Sequence, residues 1–331
     1  MNATDPAPLA ATQASRKPLM TRSTLALAFF AVLGLMPVTA VALGDPFMVV
    51  VLTRIVIFAL AALSLDLILG HGGLVSFGHA AFVGFGAYAV AILASNGITD
   101  IAVQLVVALA AAALFGLITG LIVLRTRGVY FIMITLAFGQ MAYFFFVSLS
   151  AYGGDDGMSL RNRSTLFGLD VLENDLVLFY FAFAALIGFY LLALALIGSR
   201  FGRVLAGTRE NPVRMQAMGY RPFAFQLVAY VISGCMAAVA GVLLANQAEF
   251  VSPAFMVWQR SGELIVMVVL GGLGTLLGPI FGAVVVLLLE EFLSPLSTHW
   301  RIGLGAVLIL VVFFSPTGLA GLARKLTGRA P

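Results

Sequence analysis

From Leu264 to Leu289 the chain reads LIVMVVLGGLGTLLGPIFGAVVVLLL, without a single charge. An apolar stretch of that length belongs in a bilayer, whose hydrocarbon core is crossed by roughly twenty residues of helix. Its centre, however, holds Gly271, Gly272, Gly274, Gly278 and Pro279, a density that ends a helix in mid-membrane. Non-helical backbone at such depth survives only when buried in protein or lining a cavity. The stretch therefore reads as a segment that enters the membrane, breaks and returns, and the break is a candidate lining of a pathway.

The rest of the chain agrees with a lipid environment. Of 331 residues, 62% are hydrophobic and 10% charged, and the mean hydropathy is +1.10, where a soluble domain carries about 25% charged residues. Fourteen acids and eighteen bases cannot coat a water-soluble globule of this size. No stretch is left over for a soluble catalytic domain. The lone Cys235 excludes a disulfide within the chain and a zinc cage of cysteines. Further apolar runs lie at Ser23 to Leu43, Phe47 to Leu69, Leu74 to Ala94, Ile101 to Leu124, Val129 to Ser150, Leu176 to Ile197, Phe223 to Asn246 and Ile302 to Phe314. Ala40 and Ala42 make an A-x-A-like cleavage site, but the first run is nearly a full span and fits a retained helix better. The expected fold is an all-α, polytopic bundle of about 8–10 transmembrane segments, with Gly-rich discontinuous helices. Its parts would be a tail over 1–22, one membrane domain over 23–314 and a basic tail over 315–331.

Charge orients the spans. With the N-terminus inside, inner segments hold Arg16, Lys17, Arg22, Arg125, Arg127, Arg200, Arg203, Arg209, Arg214, Arg221, Arg324, Lys325 and Arg329, thirteen of the eighteen bases. Outer loops collect Asp45, Asp100, Asp155, Asp156, Asp170, Glu173, Asp175, Glu249 and Glu263 against Arg161, Arg163 and Arg260. Nine crossings would put the C-terminal bases outside. A returning segment at 264–289 restores the parity, places Glu290 and Glu291 outside, and leaves both termini cytoplasmic.

A second Gly-rich interruption runs from Gly70 to Gly86, through His71, Gly72, Gly73, Ser76, Gly78 and His79. Two such breaks, one in each half, resemble the paired discontinuous helices that hold solute sites in transporters; small-residue packing between helices is the plainer reading of each glycine alone. The expected pathway lies between the breaks. Gly73, Ser76, Gly78, His79, Thr135, Gln140, Gly271, Gly272 and Gly274 would line it, although Thr135 and Gln140 also suit helix-to-helix hydrogen bonds. Arg54 and Asp66 stand within the second apolar run, where a charge is a functional candidate. Twelve residues apart on a helix, they lie roughly 18 Å from each other, so each needs a partner elsewhere or a route to the interface.

No catalytic constellation is present: there is no H-E-x-x-H, G-x-S-x-G or Walker A pattern. In the outer loop, Gly153-Gly154-Asp155-Asp156-Gly157 suits a turn better than an acid/base pair. The most specific polar feature is the inner loop 199–222, SRFGRVLAGTRENPVRMQAMGYRP. Asn211 as N-cap and Pro212 at the first helical position start a short helix, and Gly219 ends it. Such a helix between two spans is a docking element for a soluble partner.

The chain resembles the LivM-type permease subunits of bacterial branched-chain amino acid ABC transporters. The likeness rests on LSLDLILGHGGLVSFGHAAFVGFGAYAVAILA (Leu63 to Ala94), RGVYFIMITLAFGQM (Arg127 to Met141), the region of TRENPVRMQAMGY, SGELIVMVVLGGLGTLLGPIFGA (Ser261 to Ala283) and the terminal Pro316-Thr317-Gly318-Leu319. It implies a non-enzymatic permease in the inner (plasma) membrane, pairing with a homologous LivH-type permease, two cytoplasmic ATPases and a periplasmic substrate-binding protein. No cofactor would sit on this chain; ATP and Mg would be bound by the ATPases, and nucleic acid plays no part. The resemblance also makes Arg209, Glu210, Asn211, Pro212, Arg214 and Gly219 the helix that couples to an ATPase. Asp66 stands where the family more usually carries Asn, and Ala151-Tyr152 where Thr is common. Relatives also move urea, short amides and aromatic acids, so a permease for one of these is the alternative. A stand-alone carrier or channel would need titratable groups in mid-membrane, and apart from Asp66 there are few.

Overall fold

The computed structural model describes residues 20–295 and, beyond them, only residues 302, 303, 305, 306, 309 and 318. Eleven α-helices are described: α1 (Met20–Ala42), α2 (Pro46–Asp66), α3 (His79–Ser95), α4 (Ile101–Val123), α5 (Val129–Val147), α6 (Asp175–Gly198), α7 (Arg200–Glu210), α8 (Pro212–Ala217), α9 (Pro222–Ala248), α10 (Trp258–Gly271) and α11 (Leu277–Leu293). Among the described residues five helices are long and apolar enough to cross a membrane: α2 with the turn that follows it, α4, α5, α6 and α9. The protein is a multi-pass α-helical membrane protein. The expected tails lie outside the described residues save for 20–22 and 318, as does most of the run Ile302 to Phe314.

Helix starts follow local chemistry. Asp45, Asp100 and Asn174 each cap the helix behind them by accepting a backbone N–H, from Met48, Ala102 and Leu176 respectively, which satisfies one of the orphan donors of a first turn. Helices α2 and α9 occupy the middle of the bundle, α3 and α4 pack on α9, and α6 and α11 pack on α2. Backbones touch where α3 meets α9: a Cβ on Gly241 would overlap the Val83 carbonyl.

The deciding stretch is two helices rather than one run. α10 begins six residues before Leu264, and five residues, Gly272 to Leu276, separate it from α11. The pair folds back on itself. A Cβ on Gly271 would overlap the Gly278 carbonyl, and one on Gly282 would overlap that of Met267, so residues recede in step on both sides of the break. At 14 and 17 residues, the two arms are roughly 21 and 26 Å long. The run expected from Leu74 also shortens, because 72–78 forms the first break and α3 starts only at His79.

The bundle has two unlike ends. At the acidic end, Met158–Ser159 pairs antiparallel with Phe250–Val251. Arg163 there reaches Asp175 at 2.7 Å and Glu249 at 3.0 Å. The other, basic end gathers α7, α8, the 124–128 turn and both helix breaks.

Candidate functional site

α2 ends at Asp66, which is fully buried. The chain then widens into a π-helical turn, Leu67–His71, a geometry frequent at functional sites, and runs irregularly to Gly78. Asp66 Oδ1 accepts the N–H of Gly274 at 2.8 Å. The partner that sequence left open for Asp66 is therefore a backbone group exposed by the other break, 208 residues away. His71 Nδ1 stands 3.9 Å from the second carboxylate oxygen. Within the second break, Thr275 Oγ1 donates to the Gly272 carbonyl at 2.7 Å and accepts the Gly278 N–H at 3.0 Å, satisfying backbone that the missing helix leaves unpaired. Gly73, Gly272 and Gly274 all have positive φ, at 69°, 116° and 70°, which side-chain-bearing residues rarely adopt.

The inner loop holds two helices where one was expected. α8 is capped as its sequence dictates, with Asn211 Oδ1 accepting the Arg214 N–H at 3.0 Å and Pro212 in its first turn; Gly219 follows it at φ 86°. α7 precedes it, capped by Ser199, which accepts the Phe201 N–H at 3.1 Å. Its signal was present in that cap and in the spacing of the buried Val204, Leu205 and Thr208, but five arginines in the loop masked it. Arg209, at the end of α7, donates to the Gly70 carbonyl, and its stem lies against Gly73. Glu210, Asn211 and Arg214 are exposed beside Val213, Met218 and Tyr220, apolar side chains that are 68%, 56% and 42% accessible. An exposed apolar patch rimmed by charge is the make-up of a protein contact.

The expected polar lining is buried rather than open. Ser76, His79 and Thr135 are at most 1% exposed, and Gln140 is half-buried. His79 Nε2 is 2.8 Å from Ser64 Oγ, Ser233 Oγ donates to the Ser64 carbonyl at 2.5 Å, and Ser261 Oγ accepts the Ala80 N–H at 2.9 Å. Thr135 Oγ1 accepts the Phe77 N–H at 3.2 Å, holding the first break against α5, where Gly78 lies against Gly139. A cleft opens on either side of this polar layer. One, of about 270 Å³, sits at the basic end between Gly73, Arg127, Arg209 and Gln226. The other, of about 210 Å³, is walled by Phe58, Val83, Leu244, Phe255 and Leu264, with Arg54 and Arg260 in its lining. Gln226 and Leu244 are 18 residues apart on α9, roughly 27 Å, so the clefts approach from opposite ends and the serine–histidine layer closes the space between.

At the acidic end the 153–157 segment is a turn, with Gly153, Gly154 and Gly157 all at positive φ. Asp155 accepts from Tyr143 at 3.3 Å while Asp156 is exposed. Arg54 is met by Glu290 of α11 at 3.1 Å, a partner 236 residues away that sequence reasoning did not find.

Two helix breaks tied back to back, a capped element resting on one of them, and clefts from both ends define a membrane permease. The family model for the branched-chain amino acid transport system permease component matches residues 47–313, and the chain belongs to that family. It is 29% identical over 318 residues to the high-affinity branched-chain amino acid transport system permease protein LivM of Escherichia coli strain K12, covering 88% of this chain and 75% of the relative. BraD of Pseudomonas aeruginosa, a permease protein of the same description, is 23% identical across 80% of this chain and 91% of its own. LivH of E. coli K12 is 27% identical over half of this chain and 53% of its own. No solved structure matches.

Proposed function

We propose that this chain forms half of the membrane pathway of an ATP-driven importer for branched-chain amino acids. In this reading it lies in a bacterial inner membrane with its basic end and both termini in the cytoplasm, beside a second, LivH-type permease. Two ATPases, binding ATP and Mg, engage α7 and α8, and a periplasmic binding protein delivers solute to the acidic end. The observation that carries the reading is the Arg209 contact with the Gly70 carbonyl, because it joins an exposed cytoplasmic element directly to a broken membrane helix. Motion of a docked ATPase would reach the first break through Arg209, and the second through Asp66 and Gly274. The thirteen bases gathered on inner segments support the orientation by the positive-inside bias.

The test is uptake of radiolabelled leucine by proteoliposomes holding the complete complex with ATP inside. Replacing Glu210 and Arg214 together by alanine is expected to reduce uptake to background while the protein still inserts, since both side chains are exposed. Normal uptake by the double variant would remove α8 as the coupling contact. Wild-type complex that takes up urea or a short amide but no leucine would overturn the substrate assignment.

A further inference from the structure

The cleft toward the acidic end is apolar in its walls and charged at one side. Phe58, Leu244, Phe255 and Leu264 supply aromatic and branched surface. Arg54 and Arg260 supply two guanidinium groups, and each carries an acidic companion: Glu290 at 3.1 Å from Arg54, and Glu263 at 2.8 Å from Arg260. All four charged side chains are partly accessible, between 25% and 37%. The Arg54 guanidinium also lies 5.8 Å from the Phe58 ring centre, which steers it along the cleft wall. Such a set differs from snorkelling charges, which leave their apolar surroundings for water; here two arginines line the hollow itself.

We infer that this cleft is a solute-binding site of the permease for a zwitterionic amino acid with a branched apolar side chain. The α-carboxylate is held by Arg260 or Arg54, the α-ammonium by the side-chain amide oxygen of Gln247, and the side chain lies against Phe58, Phe255 and Leu264. A guanidinium offers the paired donors that a carboxylate accepts. A guanidinium carries five N–H donors, so each arginine can keep its glutamate, Glu290 or Glu263, while it binds the solute. A volume of about 210 Å³ admits one solute of leucine's size. The buried layer of Ser64, His79 and Ser233 then closes the floor of the site from the basic end. The assignment rests on the import reading above and adds to it a place in the chain where solute is held.

The experiment uses the complete permease–ATPase complex in nanodiscs, without binding protein, and measures equilibrium binding of radiolabelled leucine. Wild type should bind. Isopentylamine, which lacks the carboxylate, and 4-methylpentanoate, which lacks the ammonium, should each compete more weakly than leucine. Arg260→Gln should weaken binding by roughly tenfold or more, the scale of one lost charge-assisted hydrogen bond. Arg54→Gln leaves Glu290 without its partner and can unfold the protein, so Leu264→Trp, which fills the cleft, serves as the second variant. A cysteine at Val83, in a Cys235→Ser background, should be protected by leucine from a maleimide. Unchanged binding in Arg260→Gln and Leu264→Trp, or no protection at residue 83 in a complex that still imports leucine, would overturn the site. Failure of wild-type complex to import leucine at all would overturn the import reading instead.

Discussion

Helices α2 and α4 are indistinguishable by hydropathy, at 2.5 and 2.6 over their most apolar windows, yet 78% of the α2 window is buried inside the protein and only 33% of that in α4. α9 sides with α2, at 2.3 and 72%, and α6 with α4, at 2.4 and 22%. Hydropathy reports transfer from water, and lipid is as apolar as a protein interior. What separates the pairs is their place in the bundle, α2 and α9 in its middle and α4 and α6 packed on them, for α4 also buries small and polar residues, Gln104, Gly116, Thr119 and Gly120. α2 and α9 bring Thr53, Ser64, Asp66, Ser233, Gly234 and Gly241 into the interior, where they permit close backbone approach and hydrogen bonds between helices. α4 and α6 present Leu114, Ile118, Leu191 and Leu194 outward.

Three substitutions probe that contrast, in falling order of effect. Gly241→Leu puts a side chain where the Val83 carbonyl already sits; it should abolish the folded permease, seen as loss of the monodisperse peak in detergent. A normal peak would mean that α3 and α9 can separate without cost. Ser233→Ala removes the donor to the Ser64 carbonyl and should lower stability by about 1 kcal/mol, the scale of an interhelical hydrogen bond in a membrane, measurable as a drop in thermal midpoint. Ile118→Ala, at a position 52% exposed on α4, should change stability by no more than about 0.5 kcal/mol. A larger loss in the same thermal assay would show that this face of α4 meets protein, with the second permease the first partner to examine.

Much of this architecture was legible in the sequence because it rests on local rules. The apolar runs, the two glycine breaks, the Asn211-Pro212 start and the Gly153–Gly157 turn each depend on a few adjacent residues. The returning segment was legible too, through the glycines and the proline at its centre. Long-range pairing was not. Arg54 gives no hint that its partner is Glu290, and Asp66 binds a backbone N–H that becomes available only because Gly274 stands outside a helix. α7 was missed because its arginines explain themselves as orienting charge. The polar residues expected to line an open path are buried in the interior instead, His79 against Ser64 and Thr135 against the Phe77 N–H. The Arg54 and Arg260 cleft was invisible for the same reason, being assembled from α2, α3, α9 and α10.

The folded-back arms of α10 and α11 also bear on how the protein is made. A chain that inserts from its N-terminus places α2 in the membrane well before α10 and α11, with Asp66 and Arg54 still 208 and 236 residues ahead of their partners. At about 5–20 residues per second, synthesis alone separates them for roughly 10 to 50 seconds. Neither arm is long enough to be a dependable stop on its own, so the hairpin must be accepted as one unit by helices already in place.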